Sequence, residues 1–185
     1  MKEFLKKHWE NLFFGVFIVV FFFVPGVREF IQRPFLMSPS LEKTENYGKL
    51  APKDYDIALK GINVPDAHLS DFKGKNIFLN FWGSWCPPCR TEFPSIQELY
   101  DAQKDKMDFV LIAMQDDEAK VKAFIEKNNY TTPVYMTENP LPMVLEFSSF
   151  PTTFIIDKEG KILKKDQGAA DWNAHAVHQF IENLD

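Results

Sequence analysis

The chain has 185 residues, 45% hydrophobic and 25% charged, which suits one globular domain of about 100 to 150 residues plus an appendage. Residues 1–48 carry six Lys/Arg and five Glu, against fifteen Lys/Arg and twenty-one Asp/Glu in the remainder, and so acidic a body argues against a nucleic-acid binder. Cys86 and Cys89 are the only cysteines; no other thiol remains for a structural disulfide, so whatever they do they do together.

Between Glu10 and Arg28 lie seventeen uncharged residues, dominated by Phe and Val from Leu12 to Val24, near the low end of a bilayer-spanning helix. Trp9 stands where an interfacial aromatic would. The expectation is an uncleaved, single-pass membrane anchor over residues 1–33. The h-region of a cleaved signal is the alternative, although no clear small-x-small site follows. Lys2, Lys6 and Lys7 precede the span while Arg28 and Arg33 follow it, a weak bias toward a cytoplasmic amino terminus. The rest of the chain then faces the periplasm or the extracellular side. Residues 34–48 mix Pro, Ser, Glu, Lys, Asn and Gly and predict a flexible linker, leaving a domain over 49–185.

Within the domain, Tyr55–Leu59 predicts a short strand, Lys60–Gly74 a turn-rich stretch, and Asn76–Trp82 (NIFLNFW) a buried strand. A helix follows the cysteines, with Phe93, Ile96, Leu99 and Tyr100 at helical spacing, closed by Lys104–Lys106 before the strand-like Met107–Met114. Asp117–Asn128 places Val121, Phe124 and Ile125 on one helical face. Thr152–Asp157 then turns through Lys158-Glu159-Gly160 into Lys161–Lys164, a hairpin. From Asp171 a last helix carries Ala174, Val177, Ile181 and Leu184 on one face. The order βαβ then ββα predicts an α/β fold, one mixed sheet flanked by helices.

Trp85-Cys86-Pro87-Pro88-Cys89-Arg90 sits between the buried strand and the helix, which puts Cys86 at the helix's positive end. That placement favours thiolate: lowering a thiol pKa from about 8.5 to about 7 raises the nucleophilic fraction near neutrality roughly tenfold. Pro87 and Pro88 fit the first helical positions, whose amides have no intrahelical partner. Half of a zinc site is the competing reading, but no second cysteine pair exists and His8, His68, His175 and His178 are scattered. Redox chemistry is therefore expected, with no cofactor and no metal. Trp82 reads as core and Trp85 as a partial cover over Cys86.

The combination of NFWGSWCPPCRTEFPSI, the preceding Leu69-Ser70-Asp71-Phe72-Lys73-Gly74-Lys75 and the later FPTTFIIDKEGKI resembles the TlpA/ResA-like membrane-anchored thiol-disulfide oxidoreductases of the thioredoxin-like superfamily, over about residues 49–184. The resemblance implies a thioredoxin-like fold, Cys86 as attacking thiol and Cys89 as resolving thiol. It further implies Pro151 as a cis-proline facing the disulfide and Phe150 lending its backbone to substrate, with Trp85 beside them. Thioredoxins proper carry a buried Asp six residues before the first cysteine; here Asn80 stands there and cannot accept a proton. Glu92 matches the acidic residue of the ResA-like group and is the expected proton partner, an ordinary solvated first-turn Glu being the alternative.

The implied function is extracytoplasmic reduction of disulfides in protein substrates, with apocytochrome c during haem attachment as one substrate class and a membrane electron donor upstream. Net oxidation or isomerisation uses the same cysteines, since direction depends on potential. A peroxidase is disfavoured because no PxxxTxxC pattern occurs. A non-catalytic adaptor is disfavoured by the intact cysteine pair.

Overall fold

The computed structural model describes residues 9–23, 36–41 and 46–184 and divides into two compact units, one ending at Phe35 and one beginning at Leu36. Within the first unit, helix α1 (Trp9–Phe23) is apolar on every described face. Its fifteen residues reach about 22 Å, short of a hydrocarbon core of about 30 Å. Among the described residues no helix is long and apolar enough to cross a membrane. The remainder of the expected span, from Val24 to Val27, and the basic residues on either side of it lie outside the described residues.

The second unit is built on a seven-stranded sheet of order β2-β1-β5-β4-β3-β6-β7. Its strands are β1 (Ala58–Gly61), β2 (Ala67–His68), β3 (Ile77–Trp82), β4 (Asp108–Ala113), β5 (Val134–Met136), β6 (Thr152–Ile156) and β7 (Ile162–Gln167). Helices α2 (Pro87–Gln103), α3 (Glu118–Asn128) and α4 (His175–Glu182) complete it. Strand β3 is interior, parallel to β4 and antiparallel to β6, and all six of its residues are buried. Its side chains alternate between faces. Phe78 and Trp82 join the cluster formed with α2 and α4, while Ile77, Leu79 and Phe81 join the cluster on the other side. Asn80 shares the face of Phe78 and Trp82, which brings a polar amide beneath the active-site helix.

Several boundaries differ from the sequence expectation, each for a local reason. The first strand begins at Ala58 rather than Tyr55, because Pro52–Tyr55 forms a 3-10 turn in which the Asp54 carboxylate accepts the Ala51 N–H at 2.8 Å. Strand β5 was not foreseen; three residues are too few to show a period. The last helix starts at His175, not Asp171, because Trp172 is fully buried and its backbone N–H is spent on Ser95 Oγ at 3.1 Å. The hairpin turn is as expected: the Asp157 carboxylate accepts from Glu159 and Lys161, and Gly160 takes a φ of +81° that a side chain would disfavour.

Part of the segment read as a flexible linker is packed. Pro39 is buried, Leu41 lies against the core, and the Met37 carbonyl accepts the Asp171 N–H at 2.9 Å. Leu50 donates to the Gly160 carbonyl and Ile162 to the Gly48 carbonyl, extending the sheet edge at Lys49–Lys161. Composition misled here because short apolar residues docking on a finished core leave no periodic trace.

Candidate active site

The site lies where β3 ends and α2 begins. Cys86 caps the helix in extended backbone (φ −91°, ψ 109°), its Sγ accepting the Cys89 N–H at 3.3 Å, and Pro87 and Pro88 occupy the next positions. Cys86 and Cys89 are joined in a disulfide with their Cα atoms 5.3 Å apart. Both residues are buried, whereas Pro87 and Pro88 are exposed and Trp85 is 50% exposed. The residues exposed beside the pair, Trp85, Pro87 and Pro88, are therefore apolar.

Trp85 is a held platform. Its indole N–H donates to the Met114 carbonyl at 3.2 Å, its ring meets Phe150 edge-on at 5.4 Å, and it lies so close over Gly83 that a Cβ there would sit 2.5 Å from Nε1. Phe150 in turn meets Phe147 edge-on at 5.1 Å. The Phe150–Pro151 peptide bond is cis, and Pro151 is buried at the entrance to β6.

Glu92 is neither in the first turn, where the sequence alternative put it, nor solvated: it is the sixth residue of α2. It is fully buried and receives three N–H donors, one from β3 and two from the loop before α4. Asn80 Nδ2 donates to Oε1 at 3.1 Å, and the Ala170 N–H and Trp172 Nε1 donate to Oε2 at 3.2 and 3.1 Å. Burial nevertheless dominates, because a charge removed from water costs more than these neutral donors return. Desolvation pushes the Glu92 carboxyl up to about 8, reinforced by Asp166, while the three hydrogen bonds pull the other way. The carboxyl thus holds its proton at neutral pH in the oxidised protein. Asn80 Oδ1 meets no donor among the described residues; turning the amide over would offer that oxygen to the O–H of a protonated Glu92.

A Redoxin family model matches residues 48–181. The chain belongs to the Redoxin family. Within the thioredoxin-like superfamily it is a ResA-like thiol-disulfide oxidoreductase. It is 34% identical over 131 residues to the thiol-disulfide oxidoreductase ResA of Bacillus cereus, a match covering 70% of this chain and 74% of that one. The crystal structure of StoA from Bacillus subtilis superposes with a TM-score of 0.55 at 30% identity, covering 68% of this chain and 92% of StoA. The pneumococcal exposed lipoprotein thioredoxin Etrx1 of Streptococcus pneumoniae gives 0.54 at 31% identity, covering 69% and 98%.

The structure brings Trp85, Cys86, Cys89, Glu92, Phe150 and Pro151 of this Redoxin-family protein to one end of the sheet. Trp82 lies in the core against Phe93, as its place in β3 implied. His178 bridges Gln103 and Asn173. Three contributors escaped sequence reasoning. Asp116 accepts from the N–H and hydroxyl of Ser84 and so clamps the turn before Trp85. Thr153 accepts the second Asn80 N–H at 2.8 Å. Trp172 reaches Glu92 from eighty residues away. Only Trp172 left a trace, as a lone aromatic among the small and polar residues before α4.

Proposed function

We propose that this oxidoreductase reduces disulfides of protein substrates outside the cytoplasm, held at the membrane by its amino-terminal segment and resupplied by a membrane dithiol donor. Apocytochrome c awaiting haem attachment is the substrate class that its ResA likeness favours. The observation that carries the reading is the Cys86–Cys89 pair at a helix start, with a buried, proton-holding carboxyl one turn further along the same helix.

In the proposed cycle the Cys86 thiolate attacks a substrate disulfide, forming a mixed disulfide and expelling one substrate thiolate, which takes a proton from water. In molecules whose Glu92 is ionised, Cys89 passes its proton to the Glu92 carboxylate, and its thiolate attacks Cys86 Sγ, expelling the second substrate sulfur as a thiolate that takes a proton from water. The substrate gains two electrons and the pair becomes the disulfide seen here. Glu92 ends protonated, as its high proton affinity requires. Positions three apart on a helix share a face, which puts Glu92 on the side of Cys89.

The reduced protein should reduce insulin, and Cys86→Ser should abolish this; substantial activity in that variant rules out the assignment. For the anchor, the support is the uncharged run from residue 11 to 27, with Phe13, Phe14, Phe17 and Ile18 exposed on α1. The protein should stay in the pellet after alkaline carbonate washing. Recovery of a soluble form beginning after about residue 26 favours the cleaved-signal alternative instead.

A further inference from the structure

We propose that Trp172 is a positioning residue that lowers the proton affinity of Glu92 against the effect of its burial, by holding its indole N–H on Oε2 from a loop fixed independently of the thiols. The catalytic meaning of this inference rests on Glu92 as the proton acceptor of Cys89.

The geometry leaves the indole little freedom. Trp172 is fully buried and meets Phe78 edge-on at 5.0 Å. Its backbone N–H is held by Ser95 Oγ, whose own hydroxyl donates to the Glu92 carbonyl at 2.7 Å. The next residue back, Asp171, is tied to the Met37 carbonyl. A donor held by packing and by its own backbone costs no reorganisation when the carboxyl ionises, and this is how fixed dipoles stabilise charge in a dry site. Neither cysteine takes part in this bracing.

The other groups around Glu92 are accounted for by element. From β3 comes the neutral Asn80 amide, itself bonded to Thr153 of β6. From β7 comes Asp166, whose negative charge opposes ionisation of Glu92 and whose own ionised form is favoured by the buried Lys164. From α4 the core side chains Val177 and Ile181 do not titrate. On α2 itself stands the cysteine pair. Trp172 and Asp166 therefore act on one carboxyl in opposite directions, and removing each should move it in opposite directions.

The test uses the oxidised full chain in detergent, where no thiol titrates, following the Glu92 carboxyl carbon by NMR against pH. Trp172→Phe should raise the midpoint by about one to two pH units, the size expected for a lost hydrogen bond to a charged group, and Asp166→Asn should lower it. In wild type the Trp172 indole N–H resonance should titrate with the Glu92 midpoint. An unmoved midpoint in folded Trp172→Phe overturns the inference. If that variant does not fold, the wild-type indole decides: a resonance indifferent to the Glu92 transition overturns it. Cys89 alkylation against pH, in the reduced protein, separates the two layers. A carboxyl midpoint that moves while the Cys89 profile stays fixed upholds the indole's hold on Glu92 and removes the acceptor role.

Discussion

The two sides of the first turns of α2 are built on opposite terms. Outward, Trp85, Pro87 and Pro88 face solvent and come from one short stretch of sequence. Inward, Glu92 is sealed from solvent and bonded to residues twelve, seventy-eight and eighty positions away. An outward group can be changed with little effect on the fold, and under the proposed function its cost falls on substrate binding. An inward group belongs to the fold, so its chemistry shows up as stability and pH dependence.

The largest expected effect lies on the inward side. Glu92 has an ordinary value of 4.5 and a folded value of about 8, so between these the folded oxidised chain binds its proton more tightly than the unfolded chain does. Its contribution to stability is fully present below about 4.5 and is lost as pH rises through about 8, by at most about 1.4 kcal/mol per pH unit. Denaturant unfolding of the oxidised protein across this range should show the slope, and Glu92→Gln should flatten it. An equal slope in the variant would mean that the carboxyl is not the buried acid described. A smaller effect is expected outside. Trp85→Ala loses one indole hydrogen bond and one edge contact with Phe150, so stability should fall by only about 1 kcal/mol. KM for a protein disulfide should rise severalfold. A loss of stability as large as a core truncation would erase the distinction between the two sides.

The same distinction explains what the sequence made legible. Strand β3, the cysteine hexapeptide, the start of α2 and the Asp157–Gly160 turn are each specified within a few residues, by alternation, proline placement or an Asp-Gly turn, and they could be read locally. Cys86, Cys89, Phe150 and Pro151 were named from motifs that are contiguous in the chain. Glu92 could be named from its position, but not its burial, because nothing near it in sequence reveals the donors of Asn80, Ala170 and Trp172. The docking of Pro39 and Leu41, and the three-residue strand β5, were invisible for the same reason: their partners are distant and their own patterns too short. Nothing local in the sequence marks Asp116, and only the fold shows it holding Ser84.

The central claim is that the buried carboxyl takes the proton from Cys89. Its most direct test is single-turnover reduction of a disulfide substrate as a function of pH, in wild type and Glu92→Gln, with Cys89 alkylation followed in parallel. In wild type the resolving step should accelerate through about pH 8, where the carboxyl ionises. In Glu92→Gln that rise should vanish and the step should slow by about a hundredfold, even though removing a neighbouring negative charge lowers the thiol pKa. Superimposable rate and alkylation profiles in the two proteins would contradict the account, leaving Glu92 a buried structural acid and Cys89 to lose its proton to water or substrate.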